Sequence, residues 1–121
     1  MKTILLVDDE EIMLAFFKRI IERSGVEVIT ATTAAEGMSL FEKRRPDGVF
    51  LDIRLPDGNG IEMFKQMKGI FSRAKICFLS ASQEEMKEAA LRNSGAIGYL
   101  SKPIFSENIL EMVEEMKRDD L

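Results

Sequence analysis

Residues 3–25, TILLVDDEEIMLAFFKRIIERSG, decide the architecture. They open on a nearly continuous apolar run, Thr3–Val7, as a strand buried on both faces requires. The run breaks into four acids, Asp8, Asp9, Glu10 and Glu11. Beyond them Ile12, Met13, Phe16, Phe17, Ile20 and Ile21 recur at helical spacing, and Gly25 after Ser24 supplies a C-terminal stop. The stretch therefore predicts a strand, an acidic rim and an amphipathic helix, in that order.

The same unit repeats along the rest of the chain. Apolar runs at Glu27–Ala31, Gly48–Leu51, Lys75–Leu79 and Gly98–Leu100 alternate with helical patterns. Thr33 with Glu36, and Ser82 with Glu85, read as capping boxes that open the second and fourth helices. Ile61, Phe64, Met67 and Phe71 mark the third helix, and Ser106 precedes a fifth carrying Ile109, Leu110, Val113 and Met116. Lys43, Arg44 and Arg45 close the second, where cations suit the helix dipole. Five repetitions of strand then helix predict an α/β fold, a doubly wound five-stranded parallel sheet with right-handed crossovers and five helices on its two faces. Such a sheet most often takes the strand order 2-1-3-4-5 and binds ligands beyond the carboxyl ends of strands 1 and 3.

Composition sets the outer limits. A chain of 121 residues, 45% hydrophobic and 31% charged, suits one domain over residues 1–121. No apolar run is long enough to span a bilayer, and the carboxylates at Asp8 and Asp9 break any signal-peptide pattern. The single Cys77 forms no intrachain disulfide, so a reducing, cytoplasmic setting is the expectation. A net charge of −4 with scattered basic residues argues against direct nucleic-acid binding. The chain has no histidine, which excludes Ser-His-Asp and Cys-His catalysis, His-based zinc sites and phosphohistidine chemistry of its own. The eight methionines fall mostly on apolar helix faces and are expected in the core. No Gly-rich nucleotide loop is present in the sequence.

The predicted topology gathers a small set of residues on one rim. Past strand 1 stand Asp8 and Asp9, past strand 3 Asp52, past strand 4 Ser80, Ala81 and Ser82, and past strand 5 Ser101, Lys102 and Pro103. Three converging aspartates repel one another unless a cation sits among them. Oxygen ligands without His or Cys favour a hard ion such as Mg²⁺. Helix capping accounts for one acid after strand 1, but not for Asp52 opposite. A carboxylate with a cation beside it is able to act as a nucleophile toward a phosphoryl group. Lys102 and the Ser80 hydroxyl would then neutralise and hold its oxygens.

In these features the sequence resembles a response-regulator receiver domain of two-component signalling, of the chemotaxis-regulator, flavodoxin-like kind. The motifs that carry the resemblance are LLVDD at strand 1, the Asp52 loop with Pro56 and Gly60, the pair Ser80-Ala81, and Lys102-Pro103. They span essentially the whole chain in order. The resemblance implies that Asp52 accepts a phosphoryl group from a histidine kinase, a phosphotransfer protein or a small donor. It further implies that Asp9, Asp8, Asp52 and the backbone carbonyl of Arg54 hold Mg²⁺, with Asp8 acting through water or as an orienter. Ser80 and Lys102 would hold the phosphoryl group, Tyr99 would change rotamer on activation, and the Lys102–Pro103 bond would be cis. Arg54 and Ser82 stand at positions that vary in the family and flank the phosphoryl group, which leaves its lifetime open.

Two other functions fit less well. A Mg²⁺-dependent phosphatase with an Asp nucleophile usually needs a second Asp two residues on, where this chain has Arg54. A flavin-binding module needs a Ser-, Thr- and Gly-rich loop after strand 1, where this chain has four acids. The switch is therefore expected to work through Ser80 moving toward the phosphoryl group and Tyr99 filling the vacated space. Helix 4, around Met86, Ala89 and Ala90, would shift with them. A partner, or a second copy of the chain after phosphorylation, is expected on the face made by helix 4, strand 5 and helix 5, not on the helix 1 side.

Overall fold

The computed structural model describes residues 1–92 and 95–118. Five parallel strands form one sheet: β1 (Thr3–Val7), β2 (Glu27–Ala31), β3 (Gly48–Asp52), β4 (Lys75–Ser80) and β5 (Gly98–Ser101). Their spatial order is β2-β1-β3-β4-β5, as the alternation predicts. Five helices follow the strands: α1 (Glu11–Glu22), α2 (Ala34–Arg44), α3 (Gly60–Ile70), α4 (Gln83–Arg92) and α5 (Ser106–Lys117). In the register, Val7 stands beside Ala31 and Leu51, and Asp52 beside Leu79. The strand ends that begin the rim are thereby level.

Burial explains why the runs read as they do. Every residue of β3 is buried, and so are Ile4–Val7 in β1. One face packs Leu5, Val7, Val49, Leu51, Ile76 and Phe78 against α2, α3 and α4, and the other packs Ile4, Leu6, Phe50, Cys77 and Leu79 against α1 and α5. Burial pushes the Cys77 thiol up to about 12, which leaves it an inert core group. Met63, Met67 and Met116 are buried and Met13, Met38 and Met112 pack against the core, in keeping with the packing role.

Several local expectations need correction. In α1 the buried residues are Leu14, Phe17 and Ile21, whereas Ile12 is 89% exposed and Phe16 56%. The stripe read from the sequence combines two faces, because Leu14 lies between its members at a spacing that serves the core. Thr33 caps α2 by accepting the Glu36 N–H at 3.1 Å, but Glu36 reaches back to the Thr32 N–H rather than to Thr33. Ser106 is the first helical residue of α5, preceded by Phe105, whose N–H donates to Asn108 Oδ1. In α4, Ala89 is buried while Ala90 is exposed, and Glu85 takes the second buried place. Farther along α5, Glu111, Glu114 and Glu115 are exposed, and Asp119 and Asp120 lie outside the described residues.

The loop after β3 carries structure that the sequence reading did not assign. Arg54–Leu55 pairs antiparallel with Gly58–Asn59 in a short hairpin. A Cβ at Gly60 would stand 2.3 Å from the Asp52 carbonyl oxygen, so only glycine lets α3 start so close to the strand end. Asn59 caps that helix by accepting the Ile61 N–H at 2.7 Å. Gly25 takes φ +86° in the left-handed region, as expected of a residue that ends a helix.

Candidate functional site

The acids converge as the topology requires. Carboxylate oxygens of Asp8, Asp9 and Asp52 all lie within 4.8 Å of one another. Asp8 is fully buried and Asp52 nearly so, whereas Asp9 is exposed. Asp8 Oδ1 accepts the Glu10 N–H at 2.9 Å, so Asp8 is the acid that turns the chain into α1. Asp52 is the last residue of β3 and Ser80 the last of β4, one position earlier in the rim than residues beyond the strands would be. Asp52 Oδ1 accepts the Arg54 N–H at 3.3 Å.

Lys102 closes the site from β5. Its ammonium lies 2.9 Å from Asp8 Oδ2, 2.9 Å from Glu10 Oε1 and 3.1 Å from Asp52 Oδ2. Its backbone N–H donates to the Ser80 carbonyl at 2.7 Å, which fastens the end of β5 to the end of β4. The Lys102–Pro103 bond is cis, as the resemblance implied. Glu10 is a member that the sequence reading placed only in an acidic run. Its contact with Lys102 depends on the loop returning over the rim, which no local signal announces.

The electrostatics follow from burial and crowding. Burial, and then the charge of Asp8, push the Asp52 carboxyl up to about 6 from 3.8, against the pull of Lys102. Burial also raises Asp8, against the bond from the Glu10 N–H and the Lys102 ammonium beside it. Burial alone would lower Lys102, but Glu10, Asp8 and the Asp52 charge outweigh it and hold the ammonium above its ordinary range. One lysine thus shares three carboxylates and does not satisfy them. Asp8 Oδ2 is close to its ammonium, yet among the described residues no donor is aligned on this buried oxygen to form a hydrogen bond. An under-satisfied buried oxygen among three oxygen-donor acids suits a hard divalent cation.

The other side of the rim is built on α4. The Ser80 hydroxyl donates to the Ser82 carbonyl at 2.6 Å, lies 3.3 Å from Glu85 Oε1, and accepts the Ser82 N–H at 3.2 Å. Glu85 Oε1 also accepts the Ala81 N–H at 3.1 Å, and Glu85 Oε2 pairs with the Arg54 guanidinium. The capping-box reading found Glu85 and the Ser82 cap on its N–H, but its carboxylate reaches Ser80, Ala81 and Arg54. Tyr99 is half-buried and stacks on Phe78 with ring centroids 5.8 Å apart. Apolar side chains also gather on the α1 side that the sequence reading had set aside. Glu10, Ile12, Phe16 and Ile104 line a shallow groove of about 530 Å³ there.

A doubly wound sheet whose rim joins a buried aspartate, two neighbouring acids, a lysine and a hydroxyl defines a class of signalling domain. A family model described as "Response regulator receiver domain" matches residues 4–114. The chain belongs to the response-regulator receiver family. It is 31% identical over 120 residues to the polar-differentiation response regulator DivK of Brucella anthropi, covering 98% of each chain. It is 37% identical over 103 residues to the KDP operon transcriptional regulatory protein KdpE of Escherichia coli, covering 85% of this chain and 45% of that protein. The chain spans about half the length of KdpE and of the Bacillus subtilis regulator PhoP. A CheY-like receiver domain from Methanospirillum hungatei matches with a TM-score of 0.85 at 34% identity, over 95% of this chain and 92% of that one. Among the described residues no helix is long and apolar enough to cross a membrane.

Proposed function

We propose that this chain is a phosphorylation-controlled switch whose phosphoacceptor is Asp52. The observation that carries this reading is the placement of a buried carboxylate at a strand end, 3.1 Å from Lys102 and beside Asp8 and Asp9. In the transfer, an Asp52 oxygen attacks the donor phosphorus and forms a P–O bond. The donor P–N bond breaks, and the departing imidazole keeps the electron pair and takes up a proton. The attack needs ionised Asp52, and a carboxyl titrating at about 6 is mostly ionised at neutral pH. Lys102 stays cationic and receives the phosphoryl oxygens, while Ser80 donates its hydroxyl to another of them.

Asp8, Asp9, Asp52 and the Arg54 carbonyl would hold Mg²⁺, which neutralises phosphoryl charge when bound. The partner is a histidine kinase or phosphotransfer protein in the same cytoplasmic compartment. The response passes through Ser80 and Tyr99 to the face of α4, β5 and α5, where an output partner or a second copy of the chain binds. The chain acts on itself and is not a turnover phosphatase. Two residues beyond Asp52 it carries Arg54, which pairs with Glu85 and supplies no general acid.

The test is intact-mass analysis after incubation with acetyl phosphate and Mg²⁺. The parent should gain one phosphoryl group and Asp52→Asn none. Equal labelling of the two would remove Asp52 from the role.

A further inference from the structure

Glu85 is an unusual occupant of its place. Its side chain is 10% exposed, on a helix that otherwise buries only Ala89. A structural cap would account for its bond to the Ala81 N–H. It would not account for the other two contacts, one to the Ser80 hydroxyl and one to Arg54. Arg54 in turn stands two residues beyond Asp52, held there by its own N–H on Asp52 Oδ1, and its side chain is 82% exposed. Its guanidinium therefore spans from the acceptor's hairpin to the start of α4.

Ser80 has one proton to give. It is directed at the Ser82 carbonyl, with Glu85 Oε1 as the second acceptor within reach. In this arrangement the hydroxyl is committed to the α4 side and has nothing to donate toward Asp52. Glu85 thus competes with a phosphoryl group for the same donor, and Arg54 keeps Glu85 in position to compete.

We propose that Arg54 and Glu85 form a latch that holds Ser80 and the start of α4 in the unphosphorylated arrangement. Phosphorylation opens it by drawing the Arg54 guanidinium from Glu85 to the new anion on Asp52. Arg54 then has two anions to choose between, and the phosphoryl group carries more charge and more acceptor oxygens than a carboxylate. Once Arg54 leaves, Glu85 is a carboxylate in a nearly closed site without its cation, which is costly. It leaves that site, releasing Ser80 and the Ala81 N–H together. The phosphoryl group then differs in affinity for the two arrangements through both Ser80 and Arg54, as a switch requires. The latch rests on Asp52 being the acceptor and adds two positioning residues, neither of them a catalytic residue.

The test is beryllofluoride titration with Mg²⁺, followed by NMR on the parent, Glu85→Gln and Arg54→Gln. Glutamine keeps the size of Glu85 and an acceptor for Ala81 but gives up the charge that holds Arg54. Glu85→Gln should bind beryllofluoride more tightly by roughly fivefold, the factor that one net hydrogen bond carries. Its free-state amide shifts in 80–86 should already lie displaced toward the bound positions. Arg54→Gln leaves Glu85 without its cation, so its free-state amide shifts in 80–86 should also lie displaced toward the bound positions, and binding should move them less than in the parent. The Arg54 Nε–H resonance of the parent should move on binding. Unchanged affinity in Glu85→Gln together with a stationary Arg54 Nε–H overturns the latch while leaving Asp52 as acceptor. A parent that fails to bind beryllofluoride, or an Asp52→Asn variant that binds it equally, overturns the acceptor reading and the latch with it.

Discussion

Asp52 ends a strand that is buried along its whole length, whereas Tyr99 and helix α4, which would respond to it, sit on thinner support. The β1–β3 half of the rim rests on Ile4–Val7 and Val49–Leu51, all packed on both sides of the sheet. On the other half, Gly98–Leu100 of β5 are only partly buried and Ser101 is exposed. Helix α4 anchors itself through Ala89 and the polar Glu85. An acceptor that must keep its distance from Asp8 and Lys102 gains from the first kind of support. A helix that must change position at small cost gains from the second. The difference between the halves is thus a division of labour between holding charge and moving.

The two halves should differ most in what a side-chain truncation costs. Phe50→Ala, in the centre of β3 at 0% exposure, should cost about 3–5 kcal/mol in urea unfolding. Leu91→Ala on α4, at 87% exposure, should stay within about 0.5 kcal/mol. Similar losses at the two positions would mean that α4 is as firmly anchored as the central strands.

A middle-sized effect should appear in the dependence of stability on pH. Asp52 titrates at about 6 in the folded protein and near 3.8 when unfolded, so the folded state keeps its proton to higher pH. Folding is therefore favoured most by this group below about 4, and that contribution is lost as pH rises through about 6. Asp8 is raised as well and acts in the same direction. Lys102 is raised above its ordinary range, so its contribution is constant across this window. Asp47 and Asp57 are lowered, by backbone N–H groups from Lys2 and Thr3 and from Ala34 and Ala35, and they lose stability only at more acidic pH. Between pH 5 and 7.5 the melting midpoint in metal-free buffer should fall by a few degrees in the parent and by less in Asp52→Asn. Parallel curves for the two proteins would show that the strain of crowded charge does not reside at Asp52.

What the sequence made legible divides along the same line. The strand order and the convergence of Asp8, Asp9, Asp52, Ser80 and Lys102 follow from apolar runs and the topology they force, because buried parallel strands leave a strong local pattern. The α1 face was misread at Ile12 and Phe16, since a run this rich in apolar residues contains two overlapping helical stripes. The 54–59 hairpin left no signal beyond its turn residues. Glu85 was visible only as a capping partner. Its contacts with Ser80 and Arg54 depend on how far a flexible side chain reaches across two loops, and periodicity carries no information about that.

The smallest effect concerns the metal, on the rigid side of the rim. Asp9 is exposed while Asp8 and Asp52 are buried, so removing its charge relieves little crowding. Asp9→Ala should therefore melt within a degree or two of the parent, or slightly above it, in metal-free buffer. A ligand that binds only the folded state stabilises it in proportion to the logarithm of its concentration over Kd, about 1.4 kcal/mol at ten times Kd. Mg²⁺ should supply that increment to the parent, where the under-satisfied Asp8 Oδ2 and the Asp9 and Asp52 carboxylates converge. In Asp9→Ala one of the three anions is gone, and the same Mg²⁺ concentration should raise the midpoint by a smaller amount. Calorimetric scans at fixed ionic strength separate this from general screening, because a monovalent salt control leaves specific binding out. An equal rise in both proteins would mean that the two buried aspartates hold the ion without Asp9.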